Sequence, residues 1–315
     1  MKLLSLGDNV FDAYLFRGEL YPGGNAANVS VLARRAGAEE TAYAGVLADD
    51  PAGRHFKAAL EAEGVDTSRL RMAVGKSACN YITLDDNGDR TFSGNNGRET
   101  VQSLFALRLT PEDFRYAAGF DVLHTSIHSG TDFAVLGGLA RRTDLSMDFS
   151  NDGFTHDNVA ALAPILRFAF FSSGGRSVEE VRPFAEFAAG CGIPQVAFTM
   201  GIRGACGVSG GSFWQAPAYP VQAVDALGAG DAFIAAFLTD FYENGGSAPA
   251  ASAPPAGRSS PASTRTSSPS PPAWTTRAAS GARSSSTRCA SSPRTRRSCR
   301  TRPASRSMSC TTRTA

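Results

Sequence analysis

Residue types and spacing that could do chemistry concentrate in Asp225-Ala-Leu-Gly228-Ala229-Gly230-Asp231, which is followed by Ala232, Phe233, Ala236, Phe237 and Phe241 at helical spacing. Small residues at the head of a helix leave its first backbone N–H groups uncovered. Those donors, with the helix dipole, can hold an anion such as a phosphate. An acid at the mouth of such a site repels the phosphate it faces. Asp231 is therefore better suited to accept a proton from an attacking hydroxyl. The other reading is a Gly-rich turn with Asp231 as an ordinary helix-start acid.

The elements that must position this stretch follow a regular rhythm. Residues 1 to 246 alternate β-branched or aromatic runs with helical patterns, the signal for strands joined by crossover helices in an α/β layered domain. Strands are predicted at Lys2 to Leu6, Thr41 to Leu47, Asp121 to His124, Leu145 to Phe149, Arg167 to Phe171 and Gln195 to Thr199. Val29, Leu32, Ala33 and Ala36 recur on one helical face before Gly37, and Pro51 opens a second helix that ends near Gly64. Asn80 to Leu84 and Asp89 to Ser93 read as a hairpin about Asp85-Asp86-Asn87-Gly88, because Asn-Gly favours the positive φ angles of a tight turn. That hairpin, with the segment through Arg98, is expected to stand off the main sheet as part of a small lid.

Charge divides the chain. Of its 31 basic residues, 12 arginines lie after Gly246 where no acid occurs, which leaves 19 against 29 acidic residues and a net of −10 for residues 1 to 246. The overall +2 is thus an average of two unlike segments. No apolar run approaches the ~20 residues of a membrane helix. The opening Met1 to Leu6 meets Asp8 and Asp12 too soon for a signal peptide, so a soluble cytoplasmic protein is expected. Cys79, Cys191 and Cys206 in the body, and Cys289, Cys299 and Cys310 beyond it, lack CxxC spacing, which argues against a zinc knuckle or a disulfide framework.

Gly-Ala-Gly-Asp, with Asp225 three residues before it, resembles the C-terminal signature of the PfkB (ribokinase-like) sugar kinases. Three further stretches agree with that family in order and spacing over Met1 to Gly246. Gly7-Asp8-Asn9-Val10-Phe11-Asp12 is similar to its sugar-binding start, Pro22-Gly23-Gly24-Asn25-Ala26-Ala27-Asn28 to its di-glycine motif, and Thr199-Met200-Gly201-Ile202-Arg203-Gly204 to its nucleotide-side T-x-G-x-x-G. The resemblance implies a three-layer α/β sandwich with a small β lid, formed by about 9–20 and 76–100, and ATP-dependent transfer of a γ-phosphoryl group to a sugar hydroxyl. It implies Asp231 as base and Gly228, Ala229 and Gly230 as anion hole. Asp12 and Asn28 would bond sugar hydroxyls, while Gly23 and Gly24 would let the backbone approach the sugar. Thr199, Gly201, Gly204 and Asp225 would face the nucleotide, with Mg2+ and a monovalent cation as companions. The lids of this family often pair into homodimers.

Three departures from the family pattern stand out. The usual Asn-x-x-Glu is absent near Phe171-Ser172-Ser173-Gly174-Gly175, which leaves magnesium ligation open. Ala226 replaces the usual Thr beside Asp225, which leaves the monovalent cation open. Asn25 stands where ribokinases carry Lys. That Asn25, with Gly-Asp-Asn-x-x-Asp, Asp148-Phe149-Ser150 and Phe168-Ala-Phe, resembles the fructoselysine 6-kinase branch. Its substrate is a fructosamine phosphorylated at O6, and Asp8, Asn95, Asn96 and Arg98 are available to such a zwitterion. Ribose or fructose is the alternative sugar, and a non-catalytic sugar-binding protein on the same fold is the rival of another class.

Lesser signals carry less. Gly75-Lys76-Ser77 is no P-loop, because the motif needs a Gly where Leu70 stands. His124 and His128 are four residues apart, but His124 ends a strand pattern, so packing or pocket lining competes with metal ligation. Asp148 ends a predicted strand, where α/β folds place ligands, and could equally cap the turn after it.

Residues 247–315 change character. Ser, Pro, Thr, Ala and Arg dominate, with only Trp274 and Met308 as large apolar groups, so no core can form there and disorder is expected. A basic arm for nucleic acid, a phosphorylatable extension and a reading-frame error in a GC-rich gene compete as explanations. The genetic code favours the last. Trp274-Thr275 must be TGG ACN, and the frame beginning at each codon's third base reads NTG GAC there. Continued through Pro271 to Gly281, that frame allows a small-residue helix followed by Gly-x-Phe-Gly, which resembles the end of the same kinase family. On this reading the adenine wall and a packing helix are lost, the chain is destabilised and poorly active, and nucleic acid drops to a minor alternative.

Overall fold

The computed structural model describes residues 1–16, 18–84, 90–219, 227–246 and 276–277. The first part of the chain runs β1 (Lys2–Leu6), β2 (Val10–Tyr14), β3 (Glu19–Gly23), α1 (Asn25–Arg35), β4 (Glu40–Ala44), β5 (Val46–Ala48), α2 (Pro51–Ala62), β6 (Arg71–Ala73), β7 (Cys79–Leu84) and β8 (Arg90–Asn95). After α3 (Val101–Leu104) and α4 (Pro111–Ala117) come β9 (Val122–Ser126), α5 (Phe133–Ala140), β10 (Asp144–Asp148), α6 (His156–Leu162), β11 (Phe168–Ser172), α7 (Val178–Gly190) and β12 (Gln195–Thr199). The antiparallel pair β13 (Ala205–Ser209) and β14 (Ser212–Ala216) precedes α8 (Ala229–Glu243), and β15 (Thr276–Arg277) is the last element.

Eight strands form the main sheet in the order β14-β13-β12-β11-β10-β9-β1-β4. The six from β12 to β4 are parallel, and β13 and β14 close the edge antiparallel. Parallel strands covered on both faces need apolar residues at every position, and the Phe168-Ala-Phe-Phe run of β11 meets that need. Phe168 and Phe170 pack with Val29 of α1 and Ile234, Phe237 and Phe241 of α8 on one face. Ala169 and Phe171 alternate to the other, against Val159 of α6 and Val181 and Phe184 of α7. Helix, sheet and helix make the three layers expected.

A second sheet stands apart in the order β15-β3-β2-β7-β8. Two antiparallel hairpins, β2–β3 and β7–β8, join through parallel pairing of β2 with β7. This is the expected lid, with the Asp85-Asp86-Asn87-Gly88 turn outside the described residues. One strand differs from expectation. The run Thr41 to Leu47 is broken at Gly45 into β4, which pairs with β1, and β5, which pairs with β6; a Cβ at Gly45 would meet the Tyr43 hydroxyl at 2.2 Å and the Gly7 carbonyl at 2.9 Å, so only glycine fits there. Gly75-Lys76-Ser77 lies between β6 and β7, where the Ser77 N–H and hydroxyl donate to Asp50, the N-cap of α2.

Candidate active site

α1 and α8 pack side by side, and this contact builds the site. Asn25 and Asn28, one helical turn apart, share the face of α1 that meets the first turn of α8. Asn25 Nδ2 donates to Asp231 Oδ1 at 2.8 Å and Asn28 Nδ2 to Asp231 Oδ2 at 2.7 Å. The same Asn25 nitrogen donates to Asp148 Oδ2 at 2.9 Å, at the C-terminal end of β10. Two carboxylates from distant segments therefore share one amide. Burial raises both: Asp148 is pushed up to about 7, further helped by the nearby charges of Asp231, Asp8 and Asp152, and Asp231 lies above its usual range despite the Asn28 and Asn25 hydrogen bonds.

Asp8 stands beneath this pair. The N-cap of α1 is Gly24, which has no side chain to offer, and the Asp8 carboxylate replaces it by accepting from the Asn25 N–H at 2.7 Å. Its other oxygen accepts from the Ser126 and Ser129 hydroxyls, each at 2.8 Å. Gly24 is held at φ 98, and a Cβ on it would meet Asn9 Cα and the Asp8 carbonyl at 2.8 Å. Neither L-residue conformation nor space is available there, which accounts for this glycine. At Gly23 the reason is different: a Cβ would meet Asp12 Oδ2 at 2.5 Å. The Asp12 carboxylate occupies the space that the missing side chain leaves open.

Across the lid, Asp12 lies beside Asn80 and Asn80 beside Asn95, so the three share one row of side chains. Asp12 is buried, whereas Asn95 and Arg98 are exposed at the lid's end, and no hydrogen bond joins either to the Asp231 group among the described residues. Asn95 accepts instead from the Gly97 N–H, and Asn96 ties Cys79 to Ser77.

Gly228 caps α8 in the left-handed conformation, with φ 77, and Ala229 and Gly230 follow as its first residues. Ala229 and Gly230 border a cavity of about 410 Å3 that Thr199, Gly201, Gly204, Tyr219 and Phe233 complete. Thr199, Gly201 and Gly204 thus meet Ala229 and Gly230 of the predicted anion hole at one opening, with Gly228 just before it; Asp225 and Ala226 lie outside the described residues. A neighbouring cavity of about 470 Å3 shares Thr199 and Gly201 and is lined by Ser172, Ser173, Gly174 and Gly175, where the acid of Asn-x-x-Glu was expected. Among the described residues no three His, Cys, Asp or Glu side chains gather as metal ligands. His124 and His128 take different partners: Asn25 and Ser146 for the first, Asp152 for the second.

The sequence marks Asn25 as a departure from ribokinases and as part of the branch resemblance, but shows neither its central place between Asp148, Asp231 and His124 nor the parts of Ser126, Ser129 and Ser146. The i, i+3 spacing of Asn25 and Asn28 was a usable signal. The serines carried none, because nothing in the chain around them names Asp8 or His124 as partner.

The pfkB family carbohydrate kinase model matches residues 10–135 and 167–254. The chain is 38% identical over 243 residues to fructosamine kinase FrlD of Bacillus subtilis (strain 168), covering 76% of this chain and 84% of that one. It is 34% identical over 238 residues to fructoselysine 6-kinase of Escherichia coli (strain K12), covering 75% and 87%. Among solved structures, fructokinase with bound ATP from Xylella fastidiosa shares the fold at TM-score 0.62 and 20% identity, covering 77% of this chain and 81% of that one. Arabidopsis thaliana ribokinase complexed with ribose and ATP shares it at TM-score 0.63 and 16% identity, covering 77% and 86%. With four motifs in order, a three-layer sandwich under a β lid and a matching model over more than half its length, the chain belongs to the pfkB family of carbohydrate kinases.

Proposed function

We propose that this chain transfers the γ-phosphoryl group of ATP to O6 of a fructosamine, a ketose carrying an amine at C1. The observation that carries the reading is the position of Asp231, bonded to Asn25 and Asn28 on one side and bordering, through Gly230, the cavity lined by Thr199, Gly201 and Gly204. Asp231 takes the proton of the sugar hydroxyl as its oxygen bonds the γ-phosphorus. The bond between that phosphorus and the bridging oxygen of ADP breaks, and ADP leaves with its electron pair. A raised carboxylate pKa suits a base that must also release the proton afterwards. The N–H groups at Gly228 to Gly230 would face the charge that develops on the transferred group.

The substrate class rests on the relatives, a fructosamine kinase and a fructoselysine 6-kinase. Magnesium, implied by the family, finds no carboxylate at Ser172 to Gly175. Among the described residues no three His, Cys, Asp or Glu side chains gather to hold the ion; the monovalent cation that the family implies falls at Asp225, outside them. We assign the lid to contact between two copies, which the exposed Leu15 (67%) and Phe16 (56%) support.

Release of ADP against a panel of fructoselysine, fructose and ribose tests the reading, with fructoselysine expected to turn over fastest. Asp231→Asn should lower turnover by about 10²–10⁴-fold while sparing sugar binding. Ordinary turnover by that variant would refute the base assignment, and absence of ADP release with every sugar would favour a non-catalytic sugar-binding protein.

A further inference from the structure

His124 on β9 is fully buried, and both of its ring nitrogens are engaged. Nδ1 lies 2.9 Å from Ser146 Oγ and Nε2 2.8 Å from Asn25 Oδ1. The Asn25 amide determines which nitrogen carries the hydrogen. Its own nitrogen gives its two hydrogens to Asp148 and Asp231, so its oxygen must accept, and His124 Nε2 must donate. Nδ1 is then an acceptor, and the Ser146 hydroxyl donates to it. Burial pushes the ring down to about 3, so one neutral tautomer persists across the working range of an enzyme.

We propose that His124 is a positioning residue for the phosphoryl-transfer step, holding the Asn25 amide in the orientation that turns both of its N–H bonds onto Asp231 and Asp148. The proposal rests on the reading of Asp231 as base. An amide whose buried oxygen has no donor is drawn to rotate toward one, and rotation takes its N–H groups off the carboxylates. Asp231 would then keep Asn28 as its remaining amide donor, bind its proton more tightly and lose one of the two bonds that aim it. The charged and titratable groups around this pair are Asp8 at the head of α1, Asp148 at the end of β10, Asp152 in the loop after it and His124 itself, which stays neutral.

Two substitutions separate positioning from packing. His124→Gln keeps an N–H donor near the place of Nε2, whereas His124→Leu fills the space without one. His124→Leu should move the acidic limb of the kcat/KM profile upward by about one pH unit, the size expected for one lost hydrogen bond to a carboxylate. Its kcat should fall more than its KM rises. His124→Gln should return both toward the unsubstituted enzyme. An acidic limb that stays in place in a folded His124→Leu variant overturns the proposal. Nitrogen-15 NMR of the unsubstituted protein tests it without any variant: His124 should be protonated at Nε2 and bare at Nδ1 from pH 5 to 9, and the opposite tautomer overturns it. Failure of the underlying reading looks different. If Asp231→Asn keeps ordinary turnover, the base is another group; if Asp231→Asn is inactive while His124→Leu leaves the limb unmoved, the base stands and the positioning role falls.

Discussion

Asp148 and Asp231 pose an electrostatic problem that a neutral amide solves only in part. Ribokinases carry Lys where this chain has Asn25, and an ammonium there would offset one of the two charges. Asn25 offers N–H dipoles alone, and burial leaves Asp148 pushed up to about 7. The direction of the pH effect follows. An unfolded Asp loses its proton near 3.8 while the folded one keeps it to about 7, so between those values the native state binds more protons. Stability attributable to Asp148 therefore falls as pH rises through that window and is level above it. Thermal unfolding of the unsubstituted protein and of Asp148→Asn from pH 4 to 8 measures this. The gap between them should shift steadily in favour of the variant from pH 4 to 7, whatever constant offset the new amide brings against Asn25. A gap that does not change with pH would show that Asp148 is ionised throughout.

Whole elements act here through their ends. α1 begins where β3 stops, so the lid strand and the helix that holds Asp231 are continuous in the chain, with Gly23 and Gly24 as the joint. The two glycines answer different needs, one leaving room for the Asp12 carboxylate and the other adopting a conformation closed to side chains. Gly23 is the more informative to change, because its backbone is unstrained and the clash falls on the end of a side chain. Gly23→Ala should displace Asp12 and raise the KM for sugar by about 10-fold, the worth of roughly one hydrogen bond to a charged group, while the KM for ATP stays unchanged. Equal rises in both would place the fault in the joint between lid and helix rather than in the sugar contact. The element pattern itself was legible beforehand: Gln195 to Thr199 is β12 residue for residue, and the Pro51 helix ends just before Gly64. The break at Gly45 was not, because it depends on the strand that each half finds as partner, β1 for β4 and β6 for β5.

For the molecule as a whole, the unlike composition of residues 247–315 bears on how completely the sandwich is covered. Gln195 on β12 and Trp214 on β14 each bury a polar atom with no partner among the described residues. Gln195 also borders a cavity of about 540 Å3 with Phe241 and Gly246, on the side where α8 ends. Each such atom costs about 1–3 kcal/mol. We read residues 1–246 as the kinase domain and propose that a frame-restored chain would supply what covers this edge and the nucleotide opening. Restoring the frame after codon 246 should raise both the melting temperature and kcat/KM; equal values for the two chains would sink the frame reading. The strand and helix rhythm, the lid hairpin and the order of the four motifs were legible in the linear chain, since hydrophobic period and glycine punctuation act over a few residues. The partnership at the centre of the site was not. Asn25 meets Asp148 and Asp231 across 123 and 206 residues, and His124 reaches it across 99. Which polar groups meet over such spans depends on how α1 lies against α8 and β9, a packing arrangement that no local stretch of chain encodes.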